Sequence, residues 1–342
     1  MSMRFITAQK FVSSPTLVKI GTFPRLIGSR STGFFSIINL LAFSTAVAKA
    51  DVSAIPGVLA EGAKLEFIKE GFEGTEGPIG LEDGSLIFTE TRANRVTRIA
   101  EDGSTSIFLE NTNGTNGLAF NKKGELVSVQ NLQPKIGVVY PAGKEKIWVE
   151  SYEGKAFQRP NDLVINKKGG VYFTDIGVLP KGENTTPARP AVYYVTSDGK
   201  ISQVASDIAR PNGIQLSRDE KTLYVANTAG EHVLAYKVLD DGKLGEKREF
   251  AKLEGFQKTE TGELSSGADG LAIDDKGRLY VASNAGIQVF DDKGGSVGVI
   301  PVPHKPQNLA FAGKDKKTLY IVGRGAAYKV PVLTPGFKGR AK

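Results

Sequence analysis

From about residue 60 onward the chain is filled by short runs of alternating apolar and polar residues, each closed by a turn rich in Lys, Asp and Gly. Six paired runs align with one another: TEGPIGLEDGSLIFTE (75–90), TNGLAFNKKGELVSVQ (115–130), PNDLVINKKGGVYFTD (160–175), PNGIQLSRDEKTLYVAN (211–227), ADGLAIDDKGRLYVASN (268–284) and QNLAFAGKDKKTLYIVGR (307–324). Alternation on both sides of a turn reads as two antiparallel strands. A third run follows each pair, as in RVTRIA (95–100) and IQVFD (287–291). A fourth precedes the next copy, as in TSIFLEN (105–111), EKIWVES (145–151) and SVGVIPV (296–302). The polar residues Glu76, Asn116, Asn161, Asn212, Asp269 and Asn308 anchor the copies in one phase, 39 to 57 residues apart. A four-stranded unit repeated at roughly this spacing predicts an all-β fold, a six-bladed β-propeller.

Only three runs follow the last anchor, while KLEFIKE (64–70) precedes the first. The expectation is a ring closed by this N-terminal strand, which completes the last blade and covers edges that would otherwise stay unpaired. Loss of 60–72 is then expected to impair folding far more than loss of 333–342. No helical period of useful length is found after residue 60.

Charge divides the chain in two. Residues 1–50 hold six basic residues and no acidic one, whereas the remainder has 38 basic against 37 acidic. The net charge of +7 therefore belongs to the leader, and the body carries no nucleic-acid footprint. The leader runs from its basic region into FFSIINLLAFSTAVA (34–48), which is short for a membrane span, and then into AVAKA, with Ala48 and Ala50 in A-x-A spacing. It reads as a signal segment cut after Ala50 and exported to the periplasm or outside the cell, leaving 51–342 as the propeller domain with no membrane span. An uncleaved anchor or an organelle transit peptide are the alternatives. The absence of Cys excludes disulfides, thiolate metal sites and Cys nucleophiles, and two His cannot build a multi-histidine zinc site.

In a propeller the first strand of each blade lines the centre, so the six anchors bring oxygen-bearing side chains to one end of the ring. Buried polar groups need partners. Two carboxylates with several amides suit a hard cation such as calcium, or another divalent ion, because amide oxygens add coordination without adding repulsion. For any single anchor, an Asn or Asp shaping a tight turn is the competing reading. The ends of the second strands, Glu90, Gln130, Asp175, Asn227, Asn284 and Arg324, return to the same face and form a weaker outer set of candidates.

The motifs EGP (76–78), RPND with GGVYFTD (159–175), RPNG with TLYVANT (210–228) and ADGLAIDDKGRLYVAS (268–283), in this order, resemble the senescence marker protein (regucalcin)/gluconolactonase/lactonase-like family of six-bladed calcium-dependent propellers. The resemblance covers 64–332. It implies Glu76, Asn161, Asn212 and Asp269 as metal ligands, Arg159, Asn116 and Asp175 as substrate contacts, and Asp269 as the general base. It further implies a calcium-dependent lactonase acting on a small lactone or ester. Neither His232 nor His304 is an anchor, which argues against a histidine-based variant. A phosphotriesterase or arylesterase on the same site, or a binding propeller without catalysis, remain alternatives, and fold alone does not choose among them.

Overall fold

The structure, a computed structural model, describes residues 49–178, 186–260 and 262–340. Five four-stranded antiparallel sheets and one of five strands carry nearly all of its regular structure, and no helix occurs among the described residues. Blade one runs Thr75–Gly80, Leu86–Glu90, Arg95–Ile99 and Thr105–Glu110; blades two, three and four begin at Thr115–Phe120, Pro160–Ile165 and Pro211–Leu216. Blade five begins at Leu271–Ile273 and blade six at Asn308–Ala312. These six inner strands touch one another in sequence order, and the last touches the first. The fold is a six-bladed propeller.

Blade six takes three strands from the C-terminal part of the chain. Its fourth place is held by Lys64–Glu70, which pairs antiparallel with Ala326–Pro331. A short strand, Lys49–Asp51, adds a fifth. The expected cleavage point after Ala50 falls within this strand; the rest of the leader, 1–48, lies outside the described residues. Downstream of it, Val52, Ile55, Val58 and Leu59 join the apolar cluster between blades five and six.

The turns follow from local chemistry. In the first hairpins of blades two, three and five, Asn121, Asn166 and Asp274 each accept two backbone N–H groups from the turn they open, at 2.8–3.0 Å. An Asx side chain that mimics a backbone turn is the reason these residues recur there. The core lies between blades: Tyr172 and Tyr194 of blade three stack at 4.4 Å and pack on Ile214, Leu216, Leu223 and Val225 of blade four.

The C-terminal segment is a fastening, with Gly336 N–H bonded to Lys316 O, Phe337 N–H to Ile273 O, and Asp275 N–H to Pro335 O. The Arg340 guanidinium donates to Leu216 O and Ser217 O and pairs with Glu220 at 3.4 Å. The segment thus ties blades six, five and four together at the end of the ring opposite the anchors. Its lack of strand periodicity hid this, because the bonds are made to other blades. A cavity of about 360 Å³ lies beside it, lined by Ile79, Phe120, Ile165, Lys316 and Arg340 among others, and by no anchor.

Candidate functional site

The anchors meet because neighbouring inner strands run in phase. A Cβ on Gly77 would lie 2.0 Å from Asn116 O; one on Gly213, 2.1 Å from Asp269 O; one on Gly270, 2.0 Å from Asn308 Oδ1. The residue after the anchor is where one blade presses on the next, and glycine there lets the ring close. Equivalent positions thus contact each other, so all six anchors share one end.

In blades one to four the strand pairing slips by one residue at the anchor. Pairing of Thr115 with Gln130 resumes at Leu118 with Ser128, and Pro160 with Asp175 resumes at Leu163 with Phe173; blades one and four behave alike. Such a bulge re-aims side chains out of strict alternation. Blade six pairs regularly from Asn308 onward.

Five anchors are buried, and Asp269 is partly exposed. Their hydrogen bonding sorts them. Asn308 is satisfied: its Oδ1 accepts the Leu309 N–H at 2.9 Å and its Nδ2 donates to Glu76 Oε2 at 3.3 Å. Gln307 donates to the other oxygen, Glu76 Oε1, at 3.2 Å. Asn116 Oδ1 and Asn212 Oδ1 are buried without a hydrogen-bond partner, although Asn212 Nδ2 donates to Thr228 Oγ1 at 3.1 Å. Burial pushes the Glu76 carboxyl up to about 7, against its two amide donors and with help from the charge of Asp162. Burial, followed by the charge of Glu76, holds Asp269 well above the ordinary carboxylate range, while Lys305 and Arg324 pull the other way.

Asp162 is a site residue that sequence reasoning missed. It follows the blade-three anchor, where blades one, two, four and five have glycine. Its carboxylate accepts the N–H groups of Leu163 at 2.8 Å and Ile214 at 3.3 Å, joining blades three and four. The break in the glycine pattern was the available signal. Gln307 was missed as well, since its role depends on Glu76, which is 231 positions away.

Three of the second-strand ends, Asp175, Glu90 and Asn227, are engaged with the chain, whereas Asn284 Oδ1 is buried without a partner. Asp175 accepts backbone N–H groups from Gln158 at 2.7 Å, Arg159 at 2.8 Å and Gly177 at 2.9 Å. Glu90 accepts from Glu73 N–H, and Asn227 from Arg210 N–H. Each pins the segment leading into its own inner strand. Asp175 therefore positions Arg159 through the backbone; its oxygens are engaged with the chain. His232, on the third strand of blade four, sits near Glu249, and His304, in the segment leading into blade six, against Tyr328. The excursion between the second and third strands of blade three has residues 179–185 outside the described residues. Its stems are held by Gln158 Oε1, which accepts from Val178 and Arg189 N–H.

Unpartnered amide oxygens beside two carboxylates with raised affinity for protons are a donor set that fits a hard cation. Among the described residues no three His, Cys, Asp or Glu side chains converge as metal ligands, so a cation here takes amide oxygen too. No helix among the described residues is long and apolar enough to cross a membrane.

Residues 74–324 match the SMP-30/Gluconolactonase/LRE-like region, and the chain belongs to this family. It is 28% identical over 305 residues to a gluconolactonase of Zymomonas mobilis, covering 82% of this chain and 85% of that one. Among solved structures it resembles a gluconolactonase of Xanthomonas campestris, with 27% identity, a TM-score of 0.71, and 84% and 96% of the two chains covered. A calcium-binding protein, regucalcin, of Agrobacterium tumefaciens shares the fold at 18% identity, with a TM-score of 0.65 over 84% and 97% of the chains.

Proposed function

We propose that the anchor end of the ring is the active site of a lactonase-type hydrolase that uses a divalent cation, most simply calcium. The observation that carries this reading is the pair of buried, unpartnered oxygens, Asn116 Oδ1 and Asn212 Oδ1, beside Glu76 and Asp269. The gluconolactonases among its relatives support a lactone as substrate. Glu76, Asn161, Asn212 and Asp269 would hold the cation, whose chemistry when bound is polarisation of the lactone carbonyl.

The protein's own groups supply the rest. Gln307 and Asn308 hold the Glu76 carboxylate by one hydrogen bond to each oxygen, which leaves its remaining lone pairs aimed by geometry. Asp269, partly open to solvent, takes a proton from the attacking water. Asn116 orients the ring oxygens of the substrate, and Arg159, fixed at its backbone by Asp175, contacts the substrate beside them. Metal analysis of the purified protein, followed by a panel of sugar, aliphatic and aromatic lactones with and without chelator, tests the proposal. Turnover that chelation leaves untouched overturns the cation's part, and turnover of esters or phosphotriesters alone overturns the lactone.

We further infer export, on the leader's charge pattern and its A-x-A site. Mass spectrometry of protein from its native host tests this, and an intact residue 1 in the mature protein overturns it.

A further inference from the structure

Two residues ahead of each anchor, the six blades read Gly74, Gly114, Arg159, Arg210, Gly267 and Pro306. Arginine thus occupies matching positions on the adjacent blades three and four. Both are pinned at the backbone in the same way, Arg159 N–H by Asp175 Oδ1 and Arg210 N–H by Asn227 Oδ1. Their guanidinium groups are left over. Neither makes an ion pair or a side-chain hydrogen bond among the described residues, and Arg210 Nε is buried without a partner. Lys305, from the lead-in of blade six, reaches over blade five: a Cβ on Gly267 would lie 2.5 Å from its Nζ and 2.1 Å from Asn284 Oδ1, another buried oxygen without a partner. Lys305 is unpaired as well.

Arg159 is exposed, and Arg210 and Lys305 are half-buried. A surface cation ordinarily turns to water or to a carboxylate. Here several share one rim, repelling each other, with hydrogen-bond donors unused. A buried unused donor costs stability, and two guanidinium forks carried at matching positions on adjacent blades suit the planar or tetrahedral oxygens of an anion.

We propose that Arg159 and Arg210, with Lys305 beside them, form an oxyanion subsite, and that the substrate carries a carboxylate or phosphate group apart from its lactone ring. This rests on the lactonase reading and narrows it to acidic lactones. The subsite faces the anchors on the side of blades three and four; the glycines of blades one and two leave the opposite side open for the neutral part of the molecule.

The test compares kcat/KM for glucono-δ-lactone, its 6-phosphate and a glucaric acid monolactone, on the metal-loaded full-length protein. At least one acidic lactone is expected to exceed the neutral one by about 10-fold, and which one it is distinguishes phosphate from carboxylate. Arg210→Gln is expected to lower that preference by roughly 10-fold, to near parity, within the usual weight of a charged hydrogen bond. Arg210→Lys should restore part of it, and Arg98→Gln, on the far side of blade one, none of the loss. Equal kcat/KM for all three lactones overturns the proposal, as does an Arg210→Gln variant that lowers all three alike. Calorimetric titration with inorganic phosphate and with gluconate keeps the two readings separate. Binding that is lost in Arg159→Gln and Arg210→Gln supports the subsite even in a protein that hydrolyses no lactone, whereas no binding of either probe to the wild type overturns it.

Discussion

Asn308 donates its side-chain amide to Glu76 Oε2 at 3.3 Å, across 232 positions of sequence and across the seam where blade six meets blade one. One anchor thus orients another. The bond holds a carboxylate that burial would otherwise neutralise, and it links the two ends of the repeat array at the site itself.

The first prediction concerns pH. In metal-free protein, the Glu76 carboxyl lies at about 7 when folded, against 4.5 when exposed. A raised carboxyl contributes stability that is fully present below about 4.5 and is lost as pH rises through about 7. With chelator present, the Tm of wild type relative to Glu76→Gln is expected to fall between pH 5 and pH 8. Added divalent cation should reverse the order at pH 8 by favouring the carboxylate. A difference in Tm that does not change with pH would contradict the raised state of the buried Glu76 carboxyl.

Glu76→Gln and Asp269→Asn separate ligand from base. Each swap keeps an oxygen and removes a charge. Saturating calcium should restore turnover in Glu76→Gln, whereas Asp269→Asn should remain ~10²–10⁴-fold low in kcat, the usual weight of a general base. Steady-state kinetics across a calcium series decides it. Wild-type activity in both variants without added metal would place catalysis elsewhere.

Removal of 333–342 is expected to lower Tm by roughly 5 °C or more, since several interblade hydrogen bonds and the largely buried Arg340–Glu220 pair go with it. Arg340→Ala alone should cost about 3 kcal/mol by removing the cation from the largely buried Glu220, which keeps only the Lys167 N–H. Thermal and urea melts of the truncated and full chains provide the check; coincident melts would mean that the tail fastens nothing.

Gly213→Ala is expected to cost about 2 kcal/mol or more, because its Cβ would meet the Asp269 carbonyl oxygen at 2.1 Å and neither strand can retreat without loosening the ring. Gly124→Ala is the control. That turn glycine has φ 73° and open space around it, so only the backbone cost of about 1 kcal/mol applies. Urea denaturation of both variants, alongside their calcium affinity, tests whether the glycine after the anchor serves the ring. Equal losses at the two positions would argue that it does not.

Much of the molecule was legible in the sequence because a propeller repeats itself. Each blade buries a similar face against its neighbours, so apolar phase, turn chemistry and anchor position recur at a spacing that reading alone detects. The first-hairpin residues Asn121, Asn166 and Asp274 act locally, within four residues of their partners, and local chemistry is written locally. What the tertiary structure decided are the contacts between distant blades. Gln307 and Asn308 meet Glu76 only once the ring has formed, Asp162 reaches Ile214 fifty-two residues away, and the C-terminal tail finds its bonds on three other blades. Asp175 shows the same division. Its polarity and phase were plain in the sequence, but whether its oxygens face a substrate or the chain depended on where 158–159 and 177 come to lie. Periodicity records which face of a strand is buried; it does not record which partner a buried polar atom finds, because that depends on strands brought together by the closure of the ring.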